Sequence, residues 1–206
     1  MPRRRRSKAS PLRARRVFPN VPYSRSYERL FVAITTTLVA LNAEPVLTFD
    51  ISEVGEGRLR RIMQAITECE ISIHDLSYAT CRPARFNMPF ELGLACALRQ
   101  QKGRHEFHIL EARAHRLQLT LSDLNGIDPK VHDRQPKRAI RAVLLILHRP
   151  GGNPSADDVN RLYEVVWRRF VPMLRQRHGD GLFSSDVFKE LCVITRVLAI
   201  QRGLMD

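Results

Sequence analysis

Ile71-Ser-Ile-His-Asp-Leu-Ser77, followed after a loop by Phe86-Asn-Met-Pro-Phe-Glu-Leu-Gly-Leu-Ala95, is the stretch around which the architecture of this chain is built. The first segment has the length and isoleucine content of a short buried strand ending in polar groups. The second reads as the start of a helix carrying a carboxylate, Glu91, in its first turn. Strand, polar loop and helix with an early carboxylate together present an acid at the rim of a parallel sheet.

The same alternation runs through the chain on either side. Val17-Phe-Pro-Asn-Val-Pro-Tyr23 is extended, because its two prolines forbid helix. Tyr27, Leu30, Phe31, Ile34, Leu38 and Leu41 then recur at helical spacing between about Ser26 and Asn42. Val46-Leu-Thr-Phe-Asp-Ile51 has the composition of a second strand, and Leu59, Ile62, Met63 and Ile66 form one face of a second helix. The third strand, Ile71 to Leu76, precedes a helix from about Met88 to Arg99. His105 to Leu110 gives a fourth strand and Lys130-Val-His132 a very short fifth, before a helix from Pro136 to Leu147. Strands alternating with helices of this length imply βαβ units, hence an α/β fold: a flavodoxin-like parallel sheet of about five strands with helices on both faces. His148 to Pro154 reads as a linker. Residues 155–206 read as a helical hairpin appended to the domain of residues 17–147, its helices spanning Ser155 to Gln176 and Ser184 to Ile200, with serine caps.

The formal charge of +13 is unevenly spread: residues 1–16 hold seven arginines and Lys8 with no acid, or +8, leaving +5 for the rest. So charged and apolar-poor a stretch reads as a disordered basic tail able to make weak contact with nucleic acid. No apolar segment follows the arginines as in a secretory signal, and the longest apolar run, Ala142 to Leu147, is far short of a membrane span. A soluble, cytoplasmic protein with no membrane partner is expected. Four cysteines without C-x-x-C spacing fit a reducing compartment better than disulfides or zinc.

In open parallel sheets ligands bind beyond the carboxyl ends of the strands, where the strand order reverses. For the order 2-1-3-4-5 that point lies between the first and third strands. Asn20 and Tyr23 leave the first strand there, Asp75 and Ser77 leave the third, and the helix bearing Asn87 and Glu91 starts on the same edge. Asp75, Glu91 and Tyr23 are therefore expected to converge on one crevice. Two carboxylates beside an aromatic ring suit a ribose, and a carboxylate near the anomeric carbon stabilises the charge that develops as a glycosidic bond breaks. Helix-start energetics offer a second account of the same residues: Asn87 or Met88 as cap, Pro89 near the first helical position and Glu91 in the first turn.

Other patterns carry less. Gly55-Glu-Gly57 lacks the third glycine of a dinucleotide fingerprint. His105-Glu-Phe-His108 lies in a strand pattern and reads as a satisfied surface pair. His115, Asp123, Asp128 and His132 have no recognised metal-ligand spacing, and no metal or cofactor is expected.

Asp75-Leu-Ser77 followed by Asn87-Met-Pro-Phe-Glu-Leu-Gly-Leu-Ala95 resembles the Asp-x-Ser and Asn-x-x-x-Glu-Leu-Gly-x-Ala pattern of nucleoside 2-deoxyribosyltransferases and bacterial TIR-like nucleotide-binding proteins, over roughly residues 17 to 147. The opening strand is similar to that of TIR-like domains in bacterial defence and signalling. The resemblance implies a flavodoxin-like fold and cleavage of an N-glycosidic bond, of NAD or a related nucleotide or nucleoside, with Glu91 catalytic and Asp75 holding the sugar. It implies that Gly55-Glu-Gly57 lies in a mobile loop that helps assemble a homo-oligomer. The competing reading is a non-catalytic nucleotide-sensing or protein-interaction module.

Overall fold

The computed structural model describes residues 14–49, 57–79, 84–103, 105–116, 121–124, 126–149, 152–179 and 181–205, apart from the side chains of Lys102 and Ser122. Five parallel strands, β1 (Arg16–Asn20), β2 (Glu44–Pro45), β3 (Ile71–Asp75), β4 (Glu106–Glu111) and β5 (Lys130–Val131), form one sheet in the order β2-β1-β3-β4-β5. This is the expected flavodoxin-like order, and it puts the switch point between β1 and β3.

Helices α1 (Glu28–Ala40) and α4 (Pro136–Ile146) cover one face, while α2 (Arg58–Glu68) and α3 (Asn87–Lys102) cover the other. Period-two alternation assigns each strand residue to a face. Val17, Ile71, Ile73 and Leu110 join the α1/α4 core, and Phe18, Phe107 and Ile109 the α2/α3 core.

The second strand differs from its expected span of 46–51. Only Glu44 and Pro45 pair with β1, after which the Val46 N–H reaches the Val17 carbonyl at 2.8 Å and the chain turns at Thr48 and Phe49. A proline is tolerated there because the strand is at the edge. Val46 and Leu47 are buried all the same, so the apolar run supplies core without supplying ladder. Asp50 and Ile51, and the loop before Gly57, lie outside the described residues.

Beyond α4 come α5 (Ala156–Val165), a π-helical turn (Val166–Phe170), α6 (Val171–His178) and α7 (Ser185–Gln201). Ser155 caps α5 by accepting from the Asp158 N–H at 3.1 Å. Between α4 and α5, Asn153 and Arg149 are tied down: the Asn153 amide donates to the Leu144 and Leu147 carbonyls, and Arg149 to those of Ala40 and Leu204. Val159, Leu162, Val166, Leu174, Phe188 and Leu191 enter the same buried cluster as α1 and the sheet. The C-terminal helices thus form a third layer over α1. At the other end, residues 1–13 of the basic tail lie outside the described residues, and Arg16, assigned above to the tail, opens β1 and pairs with Glu68 at 3.0 Å.

This layer explains why α1 is buried on all sides from Leu30 to Ala40. No charged residue occurs between Arg29 and Glu44, so the helix has no face suited to water. The Thr36 hydroxyl is fully buried and, among the described residues, has no hydrogen-bond partner. Thr36→Val keeps the shape and removes that unsatisfied group, and it is expected to raise stability by about 1 kcal/mol in a denaturant titration.

No described helix is long and apolar enough to cross a membrane.

Candidate functional site

Glu91 is the fifth residue of α3, which begins at Asn87 after a Phe86 cap that makes no side-chain bond. The expectation of a carboxylate in the first turn therefore needs correction: Glu91 lies just past the first turn, beyond the residues whose free N–H groups a cap serves. Pro89 falls within the first turn, where a missing N–H costs nothing. The helix closes at Gly103, whose φ of 63° is left-handed and whose N–H reaches the Arg99 carbonyl at 2.9 Å.

The Glu91 side chain is 3% exposed. Its Oε1 accepts from Asn87 Nδ2 at 3.5 Å, a long bond, and the Asn20 carboxamide is near enough to favour its ionised form. Burial pushes its pKa up, against the opposing effects of Asn87, the Arg58 charge and Asn20. Among the described residues no cation forms an ion pair with it. Tyr23 is near enough that the Glu91 charge raises its pKa, although burial is the main cause of its rise to about 12. Its hydroxyl lies 3.3 Å from Thr48 Oγ1, and its ring packs on Phe49 and Phe183 at centroid distances of 5.1 and 5.5 Å. Asn20, Tyr23, Asn87 and Glu91 are thus brought together at the β1/β3 switch point.

Asp75 and Ser77 are not part of that group. Asp75 follows Ile71 and Ile73 in alternation and points to the α1/α4 face, where it is fully buried. Its Oδ1 accepts from the Ser77 N–H at 2.8 Å, and its Oδ2 from the Tyr27 hydroxyl and from His132 Nε2 at 2.9 Å. Burial raises its pKa, but the hydrogen bonds and charge of His132, Ser77 and Tyr27 outweigh this and hold it below the usual carboxylate value. Ser77 Oγ lies 3.1 Å from His132 Nε2 as well. This is no nucleophile triad, since serine and aspartate share one ring nitrogen. His132 Nδ1 accepts from the Arg134 N–H at 3.0 Å, which puts the ring proton on Nε2.

The α2/α3 face holds a second polar network that the sequence reading did not anticipate. Asn20 meets His74, His74 meets Ser72, and Ser72 meets His105. Residues 72 and 74 share the face of Phe18, as does His105, two residues before Phe107. The signal was the period of two, applied to β3 and β4 together. It also corrects the reading of His105 and His108 as a surface pair: three residues apart in a strand, they face opposite sides, and His105 is buried.

A groove of about 470 Å³ among the C-terminal helices, lined by Asp158, Arg161, Glu164 and Arg202 among others, shares no residue with the group around Glu91. Among the described residues no group of three or more His, Cys, Asp or Glu is arranged to hold a metal. Compared with known proteins, the sequence matches no family model and no curated protein, so the reading of this site rests on its own geometry.

Proposed function

We propose that the protein binds a nucleotide or nucleoside at the β1/β3 switch point and cleaves its N-glycosidic bond, with NAD as the leading substrate and bacterial defence or signalling as the setting. The observation that carries this reading is the state of Glu91: a residue 3% exposed, past the first turn of its helix, with the Asn87 and Asn20 carboxamides beside it and, among the described residues, no ion pair. Burying such a group is costly, and capping does not account for it. Its use would be electrostatic: an ionised Glu91 beside the anomeric carbon stabilises the oxocarbenium-like transition state. Nicotinamide in NAD is a cationic leaving group and departs without a general acid, so one carboxylate suffices. The approaching cation would itself favour the ionised form of Glu91. Tyr23 and Phe49 offer aromatic faces to a base, Asn87 offers a donor and Asn20 its carboxamide oxygen. Asp75, with its oxygens already engaged, supports the end of β3 in this scheme and does not hold the sugar directly.

The test is incubation of wild type and Glu91→Gln, at high protein concentration, with NAD and a panel of nucleosides. Release of nicotinamide or free base by the wild type alone supports the proposal, and equal stability of every substrate with both proteins ends it.

The engagement of Asp75 also favours a second reading, a non-catalytic nucleotide-sensing module, because only one carboxylate is left for the sugar. A ligand-dependent thermal shift without turnover distinguishes it. Self-association and weak nucleic-acid contact through residues 1–16 belong to the same proposal. The latter should weaken steeply with salt and vanish when the tail is deleted.

A further inference from the structure

Four side chains and one carbonyl form a continuous hydrogen-bonded line beneath α2 and α3. Asn20 Nδ2 lies 3.0 Å from His74 Nδ1, His74 Nε2 lies 2.8 Å from Ser72 Oγ, and Ser72 Oγ lies 2.8 Å from His105 Nε2. The line ends with His105 Nδ1, 3.1 Å from the Cys69 carbonyl oxygen. Every side chain in it is buried, His74 and Ser72 completely. At its upper end the Asn20 carboxamide is also near enough to Glu91 to favour its ionised form.

Only the lower end has a chemically invariant role. A backbone carbonyl accepts and never donates, so His105 carries a proton on Nδ1. Burial holds the pKa of both imidazoles down, that of His74 to about 3, so each ring carries a single proton. His105 Nε2 is then an acceptor, and the Ser72 hydroxyl donates to it. The Ser72 oxygen in turn accepts from His74 Nε2–H, which leaves His74 Nδ1 as an acceptor. Asn20 satisfies that acceptor with its NH₂ group, the polar end that then also faces toward Glu91. One carbonyl at the foot of the sheet thereby sets the direction of every bond up to the Asn20 carboxamide beside the candidate catalytic carboxylate.

We propose that His74 is a positioning residue for Glu91: with its proton held on Nε2 by Ser72, it keeps the NH₂ of Asn20 turned toward the carboxylate and so favours the ionised form. The opposite tautomer would turn the carboxamide over and set its oxygen against the carboxylate, two acceptors facing each other in a low-dielectric site. The purpose of the device rests on the proposed reaction, whereas its hydrogen-bond direction and its effect on Glu91 ionisation do not.

The experiment therefore reads protonation and not turnover. Long-range ¹H–¹⁵N spectra of the histidine side chains in the full-length protein should show His74 with its proton on Nε2 and His105 with its proton on Nδ1. A proton on His74 Nδ1 overturns the proposal. The carboxyl ¹³C titration of Glu91 should move up by about one pH unit in His74→Leu, which removes the acceptor. It should return toward wild type in His74→Asn, whose Oδ1 can stand where Nδ1 stood. Ser72→Ala, which releases the lock on the tautomer, should move it the same way by less. Arg58, Asn87 and Tyr23 also face Glu91, and Cys69 and Glu106 face His105; none is altered by these changes. An unmoved Glu91 titration in folded His74→Leu overturns the proposal, and should that variant not fold, the wild-type spectra and Ser72→Ala decide it. If the titration moves while no substrate is turned over, the positioning stands and the enzymatic reading falls.

Discussion

Asp75→Ala is expected to cost about 3–5 kcal/mol, enough to leave a domain of ordinary stability barely folded. The carboxylate is fully buried and accepts from three donors: the Tyr27 hydroxyl at the entry to α1, the Ser77 N–H beyond β3, and His132 Nε2 beyond β5. Removing it takes the carboxylate partner from a phenol and an amide in a site closed to water, and leaves the His132 Nε2–H with Ser77 Oγ alone. The pH dependence has a definite sign. A carboxyl held below its ordinary value contributes stability that is fully present above the unfolded pKa, near 3.8, and is lost as the pH falls through the lowered folded value. Urea titrations at pH 7 and pH 3 should show the wild type losing more stability on acidification than Asp75→Asn does. Equal losses would show that the network does not hold the carboxylate ionised.

Glu91→Gln is expected to move activity and stability in opposite directions. If Glu91 stabilises the oxocarbenium-like charge, the amide forfeits that field, and base release should fall by about 10²- to 10³-fold or more. The same change should raise the thermal midpoint at neutral pH. Burial raises the folded pKa of Glu91, so the folded state takes up a proton more readily than the unfolded chain. Stability then declines as the pH rises from the unfolded pKa through the folded one, and above that window the ionised, buried carboxylate imposes its full cost. Glutamine carries no such cost, and each kcal/mol relieved is worth about 2–4 °C in a chain of this size. The gain should be present at pH 7.5 and shrink toward pH 4.5. A midpoint unchanged at both would show that Glu91 is solvated as an ordinary surface acid.

These two carboxylates illustrate how far a linear reading reaches. Both were legible as polar groups at the carboxyl edge of a parallel sheet, because strand, loop and helix signals around residues 71–95 fix that edge. Their separation onto opposite faces was also encoded, in the even spacing of Asp75 from Ile71 and Ile73, but it emerges only when alternation is followed past the last apolar residue. The partners of Asp75 were not legible. Tyr27 and His132 are 48 and 57 residues away, and no local propensity links them. His132 follows a two-residue strand whose position depends on β4 already being in place.

Local chemistry, read from the sequence alone, determined the alternation of strands and helices, the 2-1-3-4-5 parallel sheet, the Ser155 cap, and the edge on which a site would lie. Only the tertiary structure decided which polar residues meet, how completely α1 is enclosed, and that Glu91 stands beyond the reach of capping. The reason is physical: periodicity and backbone propensity act over a few residues and survive as pattern. Hydrogen-bond partners, burial and the pKa shifts that follow depend on groups brought together from distant strands, and no window of sequence contains them.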